Sequence, residues 1–265
     1  MLQTIVSGNQ PSLRQTREVP TLSVIIPTLD EQEGIGIVLA DIQKSLSIPS
    51  MAIVVDGHSK DKTVEVAIRE NAEIVFQQGI GYGNALQTGF RHALQNYNSQ
   101  VLIMMDADGT YDAKDLDRLV MPILTGEADF VIGNRLNSMD YGAMSFINRI
   151  GNIIISNFVS ILIQHPLTDT QCGLRAFRRS LAHDFVTGPR GMPFAAEMVI
   201  RAAKRKARII EIPVRYHSRI GTTKLNPWKD GMRILLSIVN SFLPHNQRRR
   251  PMDQGLRASS RPSWD

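Results

Sequence analysis

Apolar positions along this chain recur in two rhythms that alternate through its first half. Short, nearly continuous apolar runs at Ser23–Pro27, Ala52–Asp56, Glu73–Phe76, Val101–Asp106 and Asp129–Gly133 have the length and branched content of buried strands. Between them, Gly34–Ser45, Thr63–Asn71, Asn84–Tyr97 and Lys114–Leu124 repeat apolar residues at helical spacing. Buried strands alternating with amphipathic helices predict an α/β fold with a mostly parallel sheet covered on both faces. In such sheets the crossovers are right-handed and ligands sit beyond the carboxyl ends of the strands. Further along, 146–163 and 228–243 read as apolar helices, and Phe194–Met198 lies on another helix that carries Glu197.

Three predicted strand ends bear polar clusters: Thr28-Leu29-Asp30-Glu31, Asp56-Gly57-His58-Ser59 and Asp106-Ala107-Asp108. They are expected to line one rim and to form a single nucleotide site. Asp106 and Asp108 are the most informative pair. Residues i and i+2 of an extended segment point the same way, so both carboxylates can converge on one hard cation. Mg²⁺ prefers one or two carboxylates plus substrate phosphates to a full protein cage. The bland reading is a polar turn closing a strand. Gly79, Gly81 and Gly83 give a flexible entry to the Asn84 helix, whose N-terminus is suited to a phosphate. These glycines follow the third strand as G-x-G-x-G, which does not fit a dinucleotide fingerprint, and no P-loop sequence is present. The six histidines are scattered without zinc spacing and read as structural or exposed.

Composition narrows this further. The 265 residues, 43% of them hydrophobic, suit one large domain, taken as 21–243, between a flexible segment 1–20 and a basic tail 244–265. The single cysteine, Cys172, cannot form an intrachain disulfide and suits a reducing compartment. The first 20 residues lack an apolar signal core, and no uninterrupted apolar run approaches the length of a membrane span. The net charge of +5 is uneven, because Arg248, Arg249, Arg250, Arg257 and Arg261 crowd the end of the chain. That tail reads as disordered, and suits either anionic lipid or plain solvation. No recognition helix, zinc finger or ribonucleoprotein motif appears, so no specific nucleic-acid partner is expected.

One ordered set of residues resembles a known family. It comprises Ile25-Ile26-Pro27-Thr28 with Glu31, Val55-Asp56-Gly57 with Ser59, Asp61 and Thr63, Gly83-Asn84-Ala85 with Gly89, and Asp106-Ala107-Asp108. Together these resemble the inverting nucleotide-diphospho-sugar glycosyltransferases of family 2, which have the GT-A fold. The second half, with Val131–Arg135, Thr168–Phe177, Glu211-Ile212-Pro213-Val214 and Arg219 with Gly221, Thr223 and Lys224, looks like the polyprenyl-phosphate (dolichol-phosphate) mannosyl- and glucosyltransferases. The resemblance implies a nucleotide-sugar site at Pro27, Thr28, Glu31, Asp56, Asn84, Asp106, Ala107 and Asp108. It implies Mg²⁺ or Mn²⁺ on Asp106 and Asp108, and phosphate binding by Arg135, Arg149, Arg219 and Lys224. Asp108, Arg135 and Arg219 would then carry catalysis. Departures from the family pattern are Asp30 in place of the usual asparagine, Gly57 in place of a second aspartate, and Gln171-Cys172 in place of Thr-Ser.

The segment 146–163 bears on the acceptor independently. Ser145, Arg149, Asn152, Ser156 and Ser160 form one helical stripe, and apolar residues fill most of the rest. It fits a membrane-interface helix with Arg149 turned to the site, and equally a helix packed on the sheet. The helix at 228–243, beginning at Trp228 near Lys224 and Lys229, would complete a lipid groove. The leading expectation is metal-dependent, inverting transfer of a hexose from UDP-glucose or GDP-mannose to a polyprenyl or dolichyl phosphate. The enzyme would sit peripherally on the cytoplasmic face of a membrane. A hydroxyl acceptor would instead need Glu197 or Asp169 as general base. A non-catalytic nucleotide-sugar or nucleic-acid binding protein is the reading from another class.

Overall fold

The computed structural model describes residues 21–221 and 227–242; segment 1–20, Thr223, Lys224 and the basic tail lie outside the described residues. Along the chain run β1 (Leu22–Thr28), α1 (Ile35–Ser45), β2 (Ser50–Asp56), α2 (Thr63–Arg69), β3 (Glu73–Phe76), α3 (Tyr82–Asn96) and β4 (Val101–Met104). Then follow α4 (Leu116–Leu124), β5 (Phe130–Asn134), α5 (Phe146–Ile163), β6 (Arg175–Arg178) and α6 (Arg179–Phe185). The described elements end with α7 (Phe194–Lys204), β7 (Ile209–Pro213) and α8 (Pro227–Phe242). The predicted strands and helices are all present, displaced at their ends by at most three residues.

The seven strands form one sheet in the order β3-β2-β1-β4-β6-β5-β7. All pairings are parallel except the two made by β6. β4 and β5 are buried along their whole length, as strands covered on both faces must be. Helix α3 lies close on β1 and β2 because Gly89 has no side chain: a Cβ there would stand 2.5 Å from Ile25 Cγ2 and 2.8 Å from Val55 Cγ2. Behind the sheet, Phe90, Phe130 and Phe185 each pack around Phe177 with ring centroids 5.1–5.8 Å apart, all three contacts edge to face at 82–87°.

Strand β6 and helix α6 were not legible in the sequence. β6 is four residues long, opens and closes on arginine, and runs straight into α6. Its antiparallel direction matters, because its first residue, Arg175, pairs with the last residue of β4, Met104. The loop leading into β6 therefore arrives at the same rim as the carboxyl ends of β1, β2, β4 and β5.

Candidate active site

Asp106 and Asp108 follow the end of β4, two residues apart; Asp108 is buried and Asp106 half-buried. Asp106 Oδ1 accepts a hydrogen bond from the Tyr82 hydroxyl at 3.1 Å, from the first turn of α3. Burial first, and then the charge of Asp108, push the Asp106 carboxyl up to about 6. Asp108 Oδ1 is held by the backbone N–H and hydroxyl of Thr110, at 3.1 and 2.7 Å. Gly173 closes one side of the pair: a Cβ on it would lie 2.2 Å from Asp106 Oδ2. Tyr111 positions that glycine by accepting from its backbone N–H at 2.7 Å.

Two neighbouring like charges, one buried and one half-buried, form a site that a divalent cation would relieve, so the donor set fits Mg²⁺ or Mn²⁺. Among the described residues there is no group of three or more metal-ligating side chains. The remaining coordination must come from donor phosphates and water.

The chain after β7 crosses this rim as a strap. Tyr216 bridges to Tyr111 and Met139, the His217 N–H donates to the Thr110 carbonyl, and the Ile220 N–H donates to that of Asp108. These bonds place Arg219 over the carboxylates. Its Nη1 lies 3.0 Å from Asp108 Oδ2, and its Nη2 binds Glu31 from the loop after β1. Its Nε is buried without a hydrogen-bond partner among the described residues. Such an orphan donor is costly unless a ligand satisfies it.

A second guanidinium stands beside the first. Arg135, one residue beyond β5, is buried and grips Asp169 through Nε at 2.8 Å and Nη2 at 2.7 Å, and its backbone N–H donates to the same carboxylate at 3.0 Å. Burial is the largest influence on the Arg135 pKa and works to lower it, but the charge and hydrogen bonds of Asp169, together with Tyr111 and Cys172, outweigh it and the guanidinium stays firmly charged. Its carbon sits 5.2 Å from the centroid of the Tyr216 ring on the strap.

Of the other expected residues, Pro27, Thr28, Asp56 and Ala107 fall at the same strand ends. Thr28 and Asp56 meet at the ends of β1 and β2, where Asp56 also accepts from Ser59. Pro27 pairs with Val55, one step back, and Ala107 is buried between the two aspartates. Asp30 has a φ of 49°, a left-handed conformation that suits aspartate as well as asparagine, and it caps the Lys60 N–H. The backbone N–H of Asn84 donates to the Gly81 and Arg190 carbonyls, so that part of the α3 N-terminus already has internal partners. Glu197, in the first turn of α7, pairs with Arg201 at 2.8 Å.

Sequence reasoning missed four contributors. Tyr82 and Tyr111 carry no spacing signal. Arg175, fully buried, donates to the carbonyls of Thr170, Cys172 and Ala195 and so shapes the loop before β6. Glu211, noted only within a motif, binds the backbone of Thr168 and Asp169. The signal available for these two was a charged residue inside a short apolar strand.

Helix α5 has its polarity inverted relative to an ordinary surface helix. Its polar stripe faces the protein: Asn152 bonds Asp169, Ser156 bonds Thr170, and Ser160 bonds Leu167. Its solvent face carries Phe146, Ile147, Ile150, Ile154 and Ile161, the last 74% exposed. Arg149 is exposed on the polar stripe, one turn before Asn152. α8 packs beside α5 and exposes Met232, Leu236 and Val239. By length and composition α5 could cross a membrane, with 18 residues of mean hydropathy 1.6. That corrects the expectation that no segment qualifies. The apolar run is broken by asparagines and serines, of which Asn152, Ser156 and Ser160 bind the folded domain.

The model of glycosyl transferase family 2 matches residues 23–185. A dolichyl-phosphate hexose transferase of Haloferax volcanii is 34% identical over 229 residues, covering 86% of this chain and 96% of that protein. The low-salt glycan biosynthesis hexosyltransferase Agl6 of the same organism is 31% identical over 241 residues. These cover 89% of this chain, which spans only 57% of the length of that relative. Among solved structures, glucosyl-3-phosphoglycerate synthase from Mycobacterium tuberculosis, with Mn²⁺, UDP-glucose and phosphoglyceric acid, superposes with a TM-score of 0.66. It is 19% identical and covers 83% of this chain and 79% of its own, a likeness of fold.

Proposed function

The chain belongs to glycosyl transferase family 2, and from that premise we propose that it transfers a hexose, with inversion, from a nucleotide-diphospho-sugar to a polyprenyl or dolichyl phosphate. The inverted polarity of α5 carries the choice of a lipid acceptor. A helix that ties its polar stripe to the Arg135–Asp169 loop and turns isoleucines outward suits an acceptor whose phosphate enters the site while its chain stays in lipid. In this reading the protein sits peripherally on the cytoplasmic face of a membrane. Similarity to the Haloferax volcanii dolichyl-phosphate hexose transferase supports the same acceptor class.

A phosphate monoester has a second pKa near 6 and is mostly dianionic at neutral pH, so its oxygen attacks the anomeric carbon without a protein base. The nucleoside diphosphate departs from the opposite face, which inverts that centre. Held by Asp106 and Asp108, a Mg²⁺ or Mn²⁺ ion supplies, when bound, Lewis-acid neutralisation of the leaving diphosphate. Arg219, whose buried Nε lacks a partner among the described residues, donates to phosphate oxygens at the carboxylate pair. Arg135 offsets the repulsion between two anionic substrates and orients the acceptor phosphate. Thr28, Asp56 and Glu31 line the donor side of the rim.

A hydroxyl acceptor would need a free carboxylate. Both oxygens of Asp169 are bonded by Arg135, and Glu197 pairs with Arg201, which counts against that reading.

The test is transfer of labelled sugar from UDP-glucose or GDP-mannose to a short polyprenyl phosphate, with Mg²⁺, Mn²⁺ or EDTA, beside Asp108→Ala. Metal-dependent label in the lipid phase, lost in the variant, supports the proposal. Donor hydrolysis without lipid labelling overturns it.

A further inference from the structure

Glu211 lies far from the donor rim in sequence and projects from β7, the last strand at one edge of the sheet. Its carboxylate is nevertheless among the most heavily engaged in the molecule. Oε1 and Oε2 accept from the Thr168 backbone N–H at 2.8 and 2.9 Å, Oε2 accepts from the Thr168 hydroxyl at 2.7 Å, and Oε1 accepts from the Asp169 N–H at 2.7 Å. The Asn134 amide bonds both the Thr168 hydroxyl and Glu211, at 2.5 and 3.4 Å. Nothing in the sheet ladder requires these bonds, because β7 pairs with β5 through its backbone.

These bonds fix the backbone at Asp169. The fully buried Asp169 side chain in turn fixes Arg135 through three hydrogen bonds. From the other side, Asn152, Ser156 and Ser160 of α5 hold the same loop at residues 169, 170 and 167. The loop is thus a bracket between β7 and α5, and Arg135 is the group it aims.

We propose that Glu211 is a positioning residue for acceptor binding, acting through Asp169 on the Arg135 guanidinium. The inference rests on the reading of Arg135 as the acceptor-phosphate ligand. A carboxylate suits the role because all its partners on the loop are donors. An amide of the same shape would turn its own N–H₂ towards an N–H and release one end of the bracket. A small displacement of a phosphate-binding group from its productive position costs a large factor in rate.

The experiment compares wild type, Glu211→Gln, Arg135→Lys and the double variant in steady-state transfer to a short polyprenyl phosphate, with circular dichroism and thermal melts alongside. The Glu211→Gln variant should raise the acceptor KM or lower kcat/KM for the acceptor about tenfold while the donor KM stays within about twofold. In the Arg135→Lys background the same change should add less than about twofold, because the group it aims is already lost. Glu211→Asp, which keeps the charge on a shorter arm, should recover part of the loss. Full additivity of the two substitutions, or a Glu211→Gln effect shared equally between donor and acceptor, would overturn the proposal. If Arg135→Lys itself leaves acceptor kinetics unchanged, the underlying reading of Arg135 fails instead.

Discussion

Nη1 of Arg219 lies 3.0 Å from Oδ2 of Asp108, although 111 residues separate them in the chain. The strap after β7 brings them together, and the second arm of the same guanidinium reaches Glu31. One side chain therefore touches the loops after β1 and β4. Lysine offers a single ammonium and cannot span both carboxylates. Arg219→Lys should lower kcat/KM at least about tenfold and Arg219→Ala about a hundredfold, with secondary structure retained. Steady-state kinetics beside circular dichroism would check this; an Arg219→Lys variant with wild-type kinetics would remove Arg219 from the mechanism.

Tyr82 supplies the hydrogen bond that orients Asp106. Tyr82→Phe keeps the ring and deletes only the hydroxyl. It should weaken apparent donor and metal affinity several-fold and cost roughly 1 kcal/mol of stability. Metal titrations of donor turnover would read the first effect and denaturant unfolding the second. An unchanged metal dependence would leave Tyr82 as packing alone.

Exposed apolar residues on α5 are expected to bind lipid. Asp at Ile154 and Ile161, both on the outward face, should abolish co-sedimentation with anionic liposomes. The melting temperature should hold, since neither side chain is buried. Undiminished sedimentation would sink the interface role of α5.

Cys172 is buried behind Tyr111, and burial pushes its thiol up to about 12. The native protein should resist thiol reagents near neutral pH, and labelling should follow unfolding of the loop before β6. Rapid labelling of the folded protein would show that this loop opens readily.

Asp129 joins the start of β5 to Arg208 and Arg178. The Arg208 hydrogen bond, more than offsetting partial burial, holds its carboxyl at about 2 against an ordinary 3.8. A depressed folded pKa means the unfolded chain binds more protons between those values. The stabilisation is complete above about pH 4 and fades as pH falls through about 2. Asp129→Asn should therefore be less stable than wild type at neutral pH, with the gap closing in acid. A gap independent of pH, measured by urea unfolding, would contradict the assignment.

Much of the scaffold was legible because its signals are local. Continuous apolar runs marked β1 to β5, helical periodicity marked the covering helices, and the i, i+2 spacing of Asp106 and Asp108 marked the rim. β6 escaped because its four residues open and close on arginine, which breaks the apolar run that marked the equally short β3 and β4 and argues against burial. Arg175 is buried there only because three backbone carbonyls satisfy it, a condition no window of sequence contains.

The sequence by itself thus determined β1 to β5, the helices between them and the presence of a paired carboxylate at a strand end, because hydrophobic period and residue spacing act over a few residues. Tertiary structure alone decided which charges meet. Arg219 reaches Asp108, Glu211 reaches the Asp169 backbone, and the polar stripe of α5 turns inward. Each depends on β6 entering the sheet antiparallel and on the strap folding back across the rim, and the bonds that fix these paths join residues up to 188 positions apart.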